Sequence, residues 1–259
     1  NSTVKCKIAP SSIHGLGVFA MRDIAKGQKC HCVPDFFKTN KVEWYSLTPA
    51  GLKQLFPEVR ELVLTRWPGI MSGSHFTSPN DMVWLLTYVN HSEDPNYDVD
   101  TDTALRDIKE GEEIIQDYKK AKNADVLYPF LNGKEPPASL PLVPPSTKNE
   151  PIKQVEMLNN SVWTTIAPSK IDGVGLKAIR GISKDTKLFL VDLPKVYTLS
   201  HLYFDLLEPE IKVLILERWP NVINGSRFCY PDCFLQGYMN HSNTPNYDGQ
   251  NDITLKEIK

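Results

Sequence analysis

The chain has 259 residues, 41% of them hydrophobic, and a formal net charge of −2. That is ordinary globular composition, and so small a charge supplies no long-range attraction to nucleic acid or an acidic membrane. No apolar run approaches the ~18–20 residues needed to span a bilayer, and no secretory h-region opens the chain. No direct nucleic-acid binding and no membrane are therefore expected, and the expected location is intracellular, nuclear or cytoplasmic.

In chain order, a short strand is predicted at Val4–Ile8. Ser11–Gly17 reads as a turn, because Gly15 and Gly17 flank a single residue and open backbone angles closed to other side chains. Val18–Arg22 and Gln28–Val33 read as short strands joined by the turn Lys26-Gly27. Thr48 starts a helix with Pro49 in its first turn, running through Leu55. Glu58–Arg66 reads as a second, amphipathic helix stopped by Trp67-Pro68. Asp81–Val89 is either a helical turn or a buried strand. Thr103–Ile108 reads as a strand ending in the turn Lys109-Glu110-Gly111-Glu112, and Ile114-Ile115 as a last short strand. Many short strands with a helical insert give an α+β fold, mostly β, rather than a doubly wound sheet. The Gly-x-Gly follows a strand but precedes no helix, so a dinucleotide fingerprint is excluded by context.

From Ala121 to about Ser161 the chain carries Pro129, Pro136, Pro137, Pro141, Pro144, Pro145 and Pro151. Such a segment favours extended, polyproline-like geometry. Tyr128, Phe130, Leu131, Leu140 and Leu142 suggest a strap that packs in part on a domain. Beyond it the chain repeats itself. Asn-His-Ser-x-x-Pro-Asn occurs at Asn90–Asn96 and again at Asn240–Asn246, each copy followed by Tyr-Asp. Ile8-Ala9-Pro10-Ser11 recurs as Ile166-Ala167-Pro168-Ser169. His14-Gly15-Leu16-Gly17 matches Asp172-Gly173-Val174-Gly175, and Leu55–Pro68 matches Leu207–Pro220. A period this long is a duplicated domain rather than a solenoid repeat of roughly 20–50 residues. The expected organisation is a first unit over 1–120, a linker over 121–161 and a second unit over 162–259. The chain opens on Asn1 and stops inside a recurring motif, as expected of a fragment of a longer protein.

Five cysteines, Cys6, Cys30, Cys32, Cys229 and Cys233, hold no positions common to both units. Without an export signal a disulfide framework is not expected. Cys30-x-Cys32 and Cys229-x-x-x-Cys233 each offer two metal ligands, but no Cys₄ or Cys₂His₂ spacing accompanies them, so buried reduced thiols are expected and no metal.

Three blocks of the first unit resemble the SET-domain protein lysine methyltransferases. They are Gly15-Leu16-Gly17-Val18-Phe19-Ala20 with Asp23-Ile24 and Gly27, then Asn90-His91-Ser92-x-x-Pro95-Asn96, then Gly111-Glu112-Glu113-Ile114-x-x-Asp117-Tyr118. The resemblance covers Val4–Lys120. The second unit resembles the family through Gly173-Val174-Gly175 and Asn240-His241-Ser242-x-x-Pro245-Asn246, and stops before the Asp-Tyr block. The resemblance implies a SET-domain fold of small sheets with a threaded, knot-like C-terminal segment, here duplicated. It implies S-adenosylmethionine as methyl donor, bound by Gly15, Leu16, Gly17, Asn90 and His91, with Gly173, Gly175, Asn240 and His241 as counterparts. It implies Tyr118 as the catalytic tyrosine, with Tyr88 and Asp117 at the substrate channel and a protein or peptide lysine as substrate. The glycines would let the backbone approach the methionine end, and the Asn90 amide would pin its charged groups.

Each residue also has a structural reading. Asn-His-Ser fits a glycosylation sequon by pattern, though no export signal accompanies it. His91 alone reads as a satisfied structural histidine and Tyr118 alone as a core aromatic, while Tyr88 and Tyr238 read equally as pocket wall or core packing. The sequence departs from the family in lacking its Glu-Tyr-x-Gly segment, where His31-Cys32-Val33-Pro34-Asp35-Phe36 stands, and in lacking cysteine-rich flanks. Asp185 replaces Gly27 in the second unit, and Leu176-Lys177 replaces Val18-Phe19. The expected function is S-adenosylmethionine-dependent lysine methylation by the first unit; the second is expected to be either a second catalytic unit cut short or a degenerate partner packed on the first, an arrangement open to an intramolecular pseudo-dimer. The rival readings are a non-catalytic tandem SET-like interaction module and methyl transfer to a small-molecule or non-lysine amine.

Overall fold

The computed structural model describes residues 5–32, 45–47, 49–66, 70–71, 74–77, 85–120, 155–156, 159–188, 197–200, 204–218, 222–223, 226–229, 235–249 and 251–259. Small sheets and few helices make up these residues, as an α+β, mostly β chain requires. Most of the Pro-rich segment, the two Trp-Pro pairs and the departure at 33–36 lie outside the described residues.

Strands β1 (Cys6–Pro10) and β2 (Leu16–Ala20) form a hairpin in the register Cys6↔Ala20 to Pro10↔Leu16. Cys6 and Ile8 alternate inward while Lys7 and Ala9 stay partly exposed, the period-2 pattern of a half-buried strand. The turn closes through Ser11, whose amide donates to the Gly15 carbonyl at 3.0 Å while its hydroxyl accepts the Ile13 amide at 2.9 Å. Gly15 sits at φ 50°, a left-handed angle that a side chain disfavours. Residues 28–32, expected as a strand, contribute only an isolated bridge between Lys29 and Thr103. The expected strand Thr103–Ile108 is shorter too, with β8 (Thr103–Ala104) pairing β7 (Tyr97–Asp98) and Ile108 bridging Ile24. Arg106 and Asp107 are exposed and break the pattern that apolar Leu105 and Ile108 suggest.

The helical insert holds β3 (Tyr45–Leu47), α1 (Pro49–Gln54), α2 (Pro57–Arg66), β4 (Ile70–Met71) and β5 (Ser74–Thr77), its strands ordered β3-β5-β4. Proline opens both helices, where its missing N–H is free of cost. The uncertain stretch before Val89 ends as a 3₁₀ turn, Leu85–Tyr88. It leads into β6 (Asn90–His91), which pairs in parallel with β9 (Glu113–Gln116). The main sheet is ordered β1-β2-β9-β6, so β9 is a central strand that joins the ends of the unit.

The second unit repeats the hairpin as β10 (Thr164–Pro168) and β11 (Val174–Ala178), in the register Thr164↔Ala178 to Pro168↔Val174. Its sheet β12-β14-β13 comprises β12 (Tyr197–Ser200), β13 (Val222–Ile223) and β14 (Ser226–Cys229). Helix α3 (Pro209–Arg218) precedes β13, and β15 (Tyr247–Asp248) pairs β16 (Ile253–Thr254).

One core cluster runs through both units. Ile8, Val18, Ile24, Tyr97, Ile108 and Ile114 share it with Ile166, Ile182, Leu235 and Tyr238. Two further contacts are reciprocal. Met21 packs on Ile211 and Ile215 of α3, and Arg22 pairs with Glu208 and, at 3.2 Å, with Glu210. At the repeat-equivalent place Ile179 packs on the cluster of Leu47, Leu52, Leu55, Val59 and Val63. There the Arg180 guanidinium stacks over Trp163 at 3.7 Å and over Phe56 at 5.2 Å.

Candidate active site in the first unit

The residues of the three sequence blocks meet along β9. On one side β9 lies antiparallel to β2, Val18 facing Ile114 and Phe19 facing Glu113. On the other it lies parallel to β6, Asn90 facing Ile115 and His91 facing Gln116. Asn96 is wholly buried and clamps this strand. Its amide nitrogen donates to the Glu113 carbonyl at 2.7 Å, its side-chain oxygen accepts the Ile115 amide at 2.8 Å, and its own amide donates to the Ile115 carbonyl at 3.1 Å.

At one corner sits a network that sequence reasoning did not anticipate. The Asn90 Nδ2 group donates to Glu113 Oε1 at 2.8 Å, Leu16 O at 3.1 Å, Ser11 Oγ at 3.1 Å and His14 O at 3.3 Å. The Ser11 hydroxyl donates in turn to the Glu113 carboxylate, 2.9 Å from both oxygens. A Cβ on Gly17 would lie 2.2 Å from Glu113 Oε1. The space at Gly17 is thus filled by a carboxylate of the same chain. Gly15, by contrast, has open space at its Cβ position. The Asn90 donors are spent on the turn, and Oδ1 takes no partner among the described residues. Ser11 was detectable, since its counterpart Ser169 closes the repeated Ile-Ala-Pro-Ser. Glu113 carried no signal beyond its place in the Gly-Glu-Glu block.

At the other end of β9 the chain turns into a 3₁₀ segment, Tyr118–Lys120. Tyr118 N donates to His91 Nδ1 at 3.1 Å, so the ring's N–H lies at Nε2. The Tyr118 hydroxyl donates to Val89 O at 2.7 Å, and the His91 and Tyr118 rings stand 5.1 Å apart and tilted by 33°. Asp117 Oδ1 accepts the Lys119 amide at 3.0 Å and lies 3.9 Å from His91 Nδ1. Tyr88 is buried in the main core cluster, with Tyr238 in the same role in the second unit. Outside this end, Lys119 pairs with Glu93 at 2.7 Å, which holds that glutamate below the usual carboxylate range.

In the second unit Asn240 Nδ2 repeats three of the four bonds, to Ser169 Oγ at 2.9 Å, Asp172 O at 3.1 Å and Val174 O at 3.3 Å. A Cβ on Gly175 would meet Asn240 Nδ2 itself, at 2.8 Å. Gly173 is left-handed at φ 38°, and His241 is exposed. Cys6, Cys30 and Cys32 are free thiols buried together beside Asp102, and no group of three or more candidate metal ligands forms among the described residues. Burial pushes the Cys30 thiol up to about 12, and a hydrogen bond to Cys6 together with burial raises Cys32 well above the ordinary range.

The pattern that describes the SET domain matches residues 15–119. No curated protein sequence matches the chain. Among solved structures it is similar to one from Plasmodium falciparum, named as a candidate histone methyltransferase, at 20% identity, covering 45% of this chain and 95% of that one with a TM-score of 0.29. So slight a likeness carries nothing about activity to this chain. The matched span begins at the Gly15 turn and ends beside Tyr118, enclosing the whole arrangement around β9: residues 15–119 are a SET domain.

Proposed function

We propose that the first unit, residues 1–120, is an S-adenosylmethionine-dependent protein lysine N-methyltransferase. The observation that carries this reading is the meeting of Tyr118 with the Asn90-His91 strand, through the 3.1 Å bond to His91 and the 2.7 Å bond to the Val89 carbonyl. It supports the reading because Tyr118 and the Asn90-His91 strand, 27 and more residues apart, come into direct contact.

The residues at the Gly15 corner fit the amino-acid end of such a donor in one respect. The corner is rich in acceptors, from the Glu113 carboxylate to the Leu16 and His14 carbonyls and Asn90 Oδ1, which suits an ammonium group. Gly15, Leu16, Asn90 and His91 would hold the group, and when bound it supplies an electrophilic methyl on a sulfonium. The chain must present a neutral amine to it. Bringing a lysine of ordinary pKa, about 10.4, to its neutral form at pH 7 costs roughly 4–5 kcal/mol. Desolvation against buried Tyr88 and Val89 lowers that cost. The Tyr118 hydroxyl, held in place by its bond to Val89 O, would orient the incoming amine. A phenol is a weak base at neutral pH, and the amine proton leaves to solvent.

The second unit, residues 162–259, reads as a SET-like partner joined by the linker 121–161 and packed on the first as an intramolecular pseudo-dimer, nuclear or cytoplasmic. The reciprocal Met21–α3 and Ile179–α2 contacts support this packing. Small-angle scattering that showed two independently tumbling lobes would count against it. For the activity, methyl transfer from tritiated cofactor onto peptide arrays is compared between wild type and Tyr118→Phe. Equal signal from both removes the catalytic assignment. Absence of cofactor binding favours the non-catalytic module, and label on free amines but not peptides favours a small-molecule acceptor.

A further inference from the structure

Helices α1 and α2 meet at the short corner Leu55-Phe56, where each leaves a terminal backbone group that its own ladder cannot satisfy. For α1 it is the Gln54 carbonyl, and for α2 the Phe56 amide. Phe56 holds the N-cap place, its carbonyl accepting the Arg60 amide at 2.9 Å, yet its side chain has no oxygen with which to cap. One side chain from near the end of the linker meets both groups. Asn159 Oδ1 accepts the Phe56 amide at 2.8 Å, and its Nδ2 donates to Gln54 O at 3.2 Å. Asn159 is held in turn by the second unit, because Arg180 Nη2 donates to its backbone carbonyl. The same guanidinium lies over the Phe56 and Trp163 rings. Val155 and Val162, on either side of Asn159, are buried in one cluster with Leu52, Leu55 and Val59 of the insert.

We infer that Asn159 and Arg180 form a clasp by which the second unit fixes the α1–α2 corner, so that the pose of the first unit's helical insert is set from outside that unit. A side-chain amide carries a donor and an acceptor at a fixed spacing, so it reads one carbonyl and one amide at once. A guanidinium is planar and can stack on a ring while it donates within its own plane, which an ammonium cannot do. The Glu58 carboxylate, in the first turn of α2, attracts the same guanidinium. The repeat uses other chemistry at the matching place, with Glu208 standing for Phe56 and an ion pair to Arg22 standing for the stack. The inference does not depend on methyl transfer. It gives the second unit a task of its own, which is to hold the first unit's insert.

Hydrogen exchange of the 259-residue chain, read segment by segment, tests the clasp. In Asn159→Ala, exchange across residues 49–66 should rise by about tenfold, well beyond any rise at residues 113–116, because two bonds of the corner are lost together. Arg180→Ala should raise exchange in the same segment. The double variant should fall short of the product of the two single effects, since both act on one joint. Two conservative variants keep part of the clasp and should lie between wild type and the alanine variants. Asn159→Asp retains the acceptor for the Phe56 amide, and Arg180→Lys retains a donor and the charge but not the stack. If an alanine variant fails to fold, these two carry the test in the same segment. A rise at residues 49–66 no greater than that at residues 113–116 overturns the inference. So do effects of the two alanine substitutions that simply multiply, or conservative variants as damaging as alanine.

Discussion

At the scale of single residues, the corner around Gly17 is the tightest constraint. Gly17→Ala places a methyl 2.2 Å from Glu113 Oε1, so the carboxylate must leave Ser11 and Asn90. The expected cost is about 1–3 kcal/mol, measured by urea denaturation. Glu113→Ala alone also destabilises, but the double variant should lose less than the two singles summed, because one clash and one network are shared. Tyr118→Phe removes a hydroxyl whose structural bond to Val89 O is worth ~1 kcal/mol. Stability should shift by no more than that while methyl transfer falls by about 10²-fold or more, since misplaced reactants forfeit orientation. Gly15, Gly17, Asn90, His91 and Tyr118 were all legible in the sequence as candidates. What was not legible is that the Asn90 donors and the space at Gly17 serve an internal glutamate. Side-chain bonds across about 100 residues leave no local pattern to read.

At the scale of elements, the turn before β9 depends on an ion pair. Arg106 Nη2 lies 2.6 Å from Glu112 Oε1 and, ahead of the Lys109 amide, holds Glu112 below the usual carboxylate range. A depressed carboxylate stabilises the fold above its unfolded pKa, about 4.3, and that contribution is lost as pH falls through the folded value. Thermal melts of wild type and Arg106→Ala from pH 3 to 7 should differ above about pH 4.5 and converge in acid. The buried thiols make a second expectation. With Cys30 pushed up to about 12 and Cys32 also raised, the thiolate population at pH 8 is negligible. Cys6, Cys30 and Cys32 should resist a disulfide reagent in the native chain and react once it is unfolded. Helices α1 and α2 and the β1-β2 hairpin were legible, because proline starts and period-2 burial are local signals. The lack of a ladder at 28–32 was not, because the cysteines there are buried by packing rather than by strand pairing.

At the scale of the whole molecule, the reciprocal contacts tie the helical insert of each unit to the hairpin of the other. Met21 is buried against Ile211 and Ile215, and Met21→Ala should cost about 2–5 kcal/mol. Arg180→Ala removes a guanidinium stacked on Trp163 and Phe56, a loss of about 0.5–2 kcal/mol. The sharper expectation concerns cooperativity. Because Ile166, Ile182 and Tyr238 share a core with Val18 and Ile114, either substitution should shift a single urea transition. Fluorescence and circular dichroism should stay coincident, and two resolved transitions would contradict the shared core.

By itself the sequence determined the mostly-β class, the recurrence of the Gly-x-Gly and Asn-His-Ser motifs and the three blocks of the SET domain, because periodicity, turn residues and motif spacing are properties of the chain in one dimension. Only the tertiary structure decided that β9 lies between β2 and β6, that Glu113 fills the space Gly17 leaves, and that Asn96 clamps β9. The physical reason is common to all three. A buried polar group must find its partner wherever the fold brings one, and Asn90 finds in Glu113 a carboxylate 23 residues further along the chain.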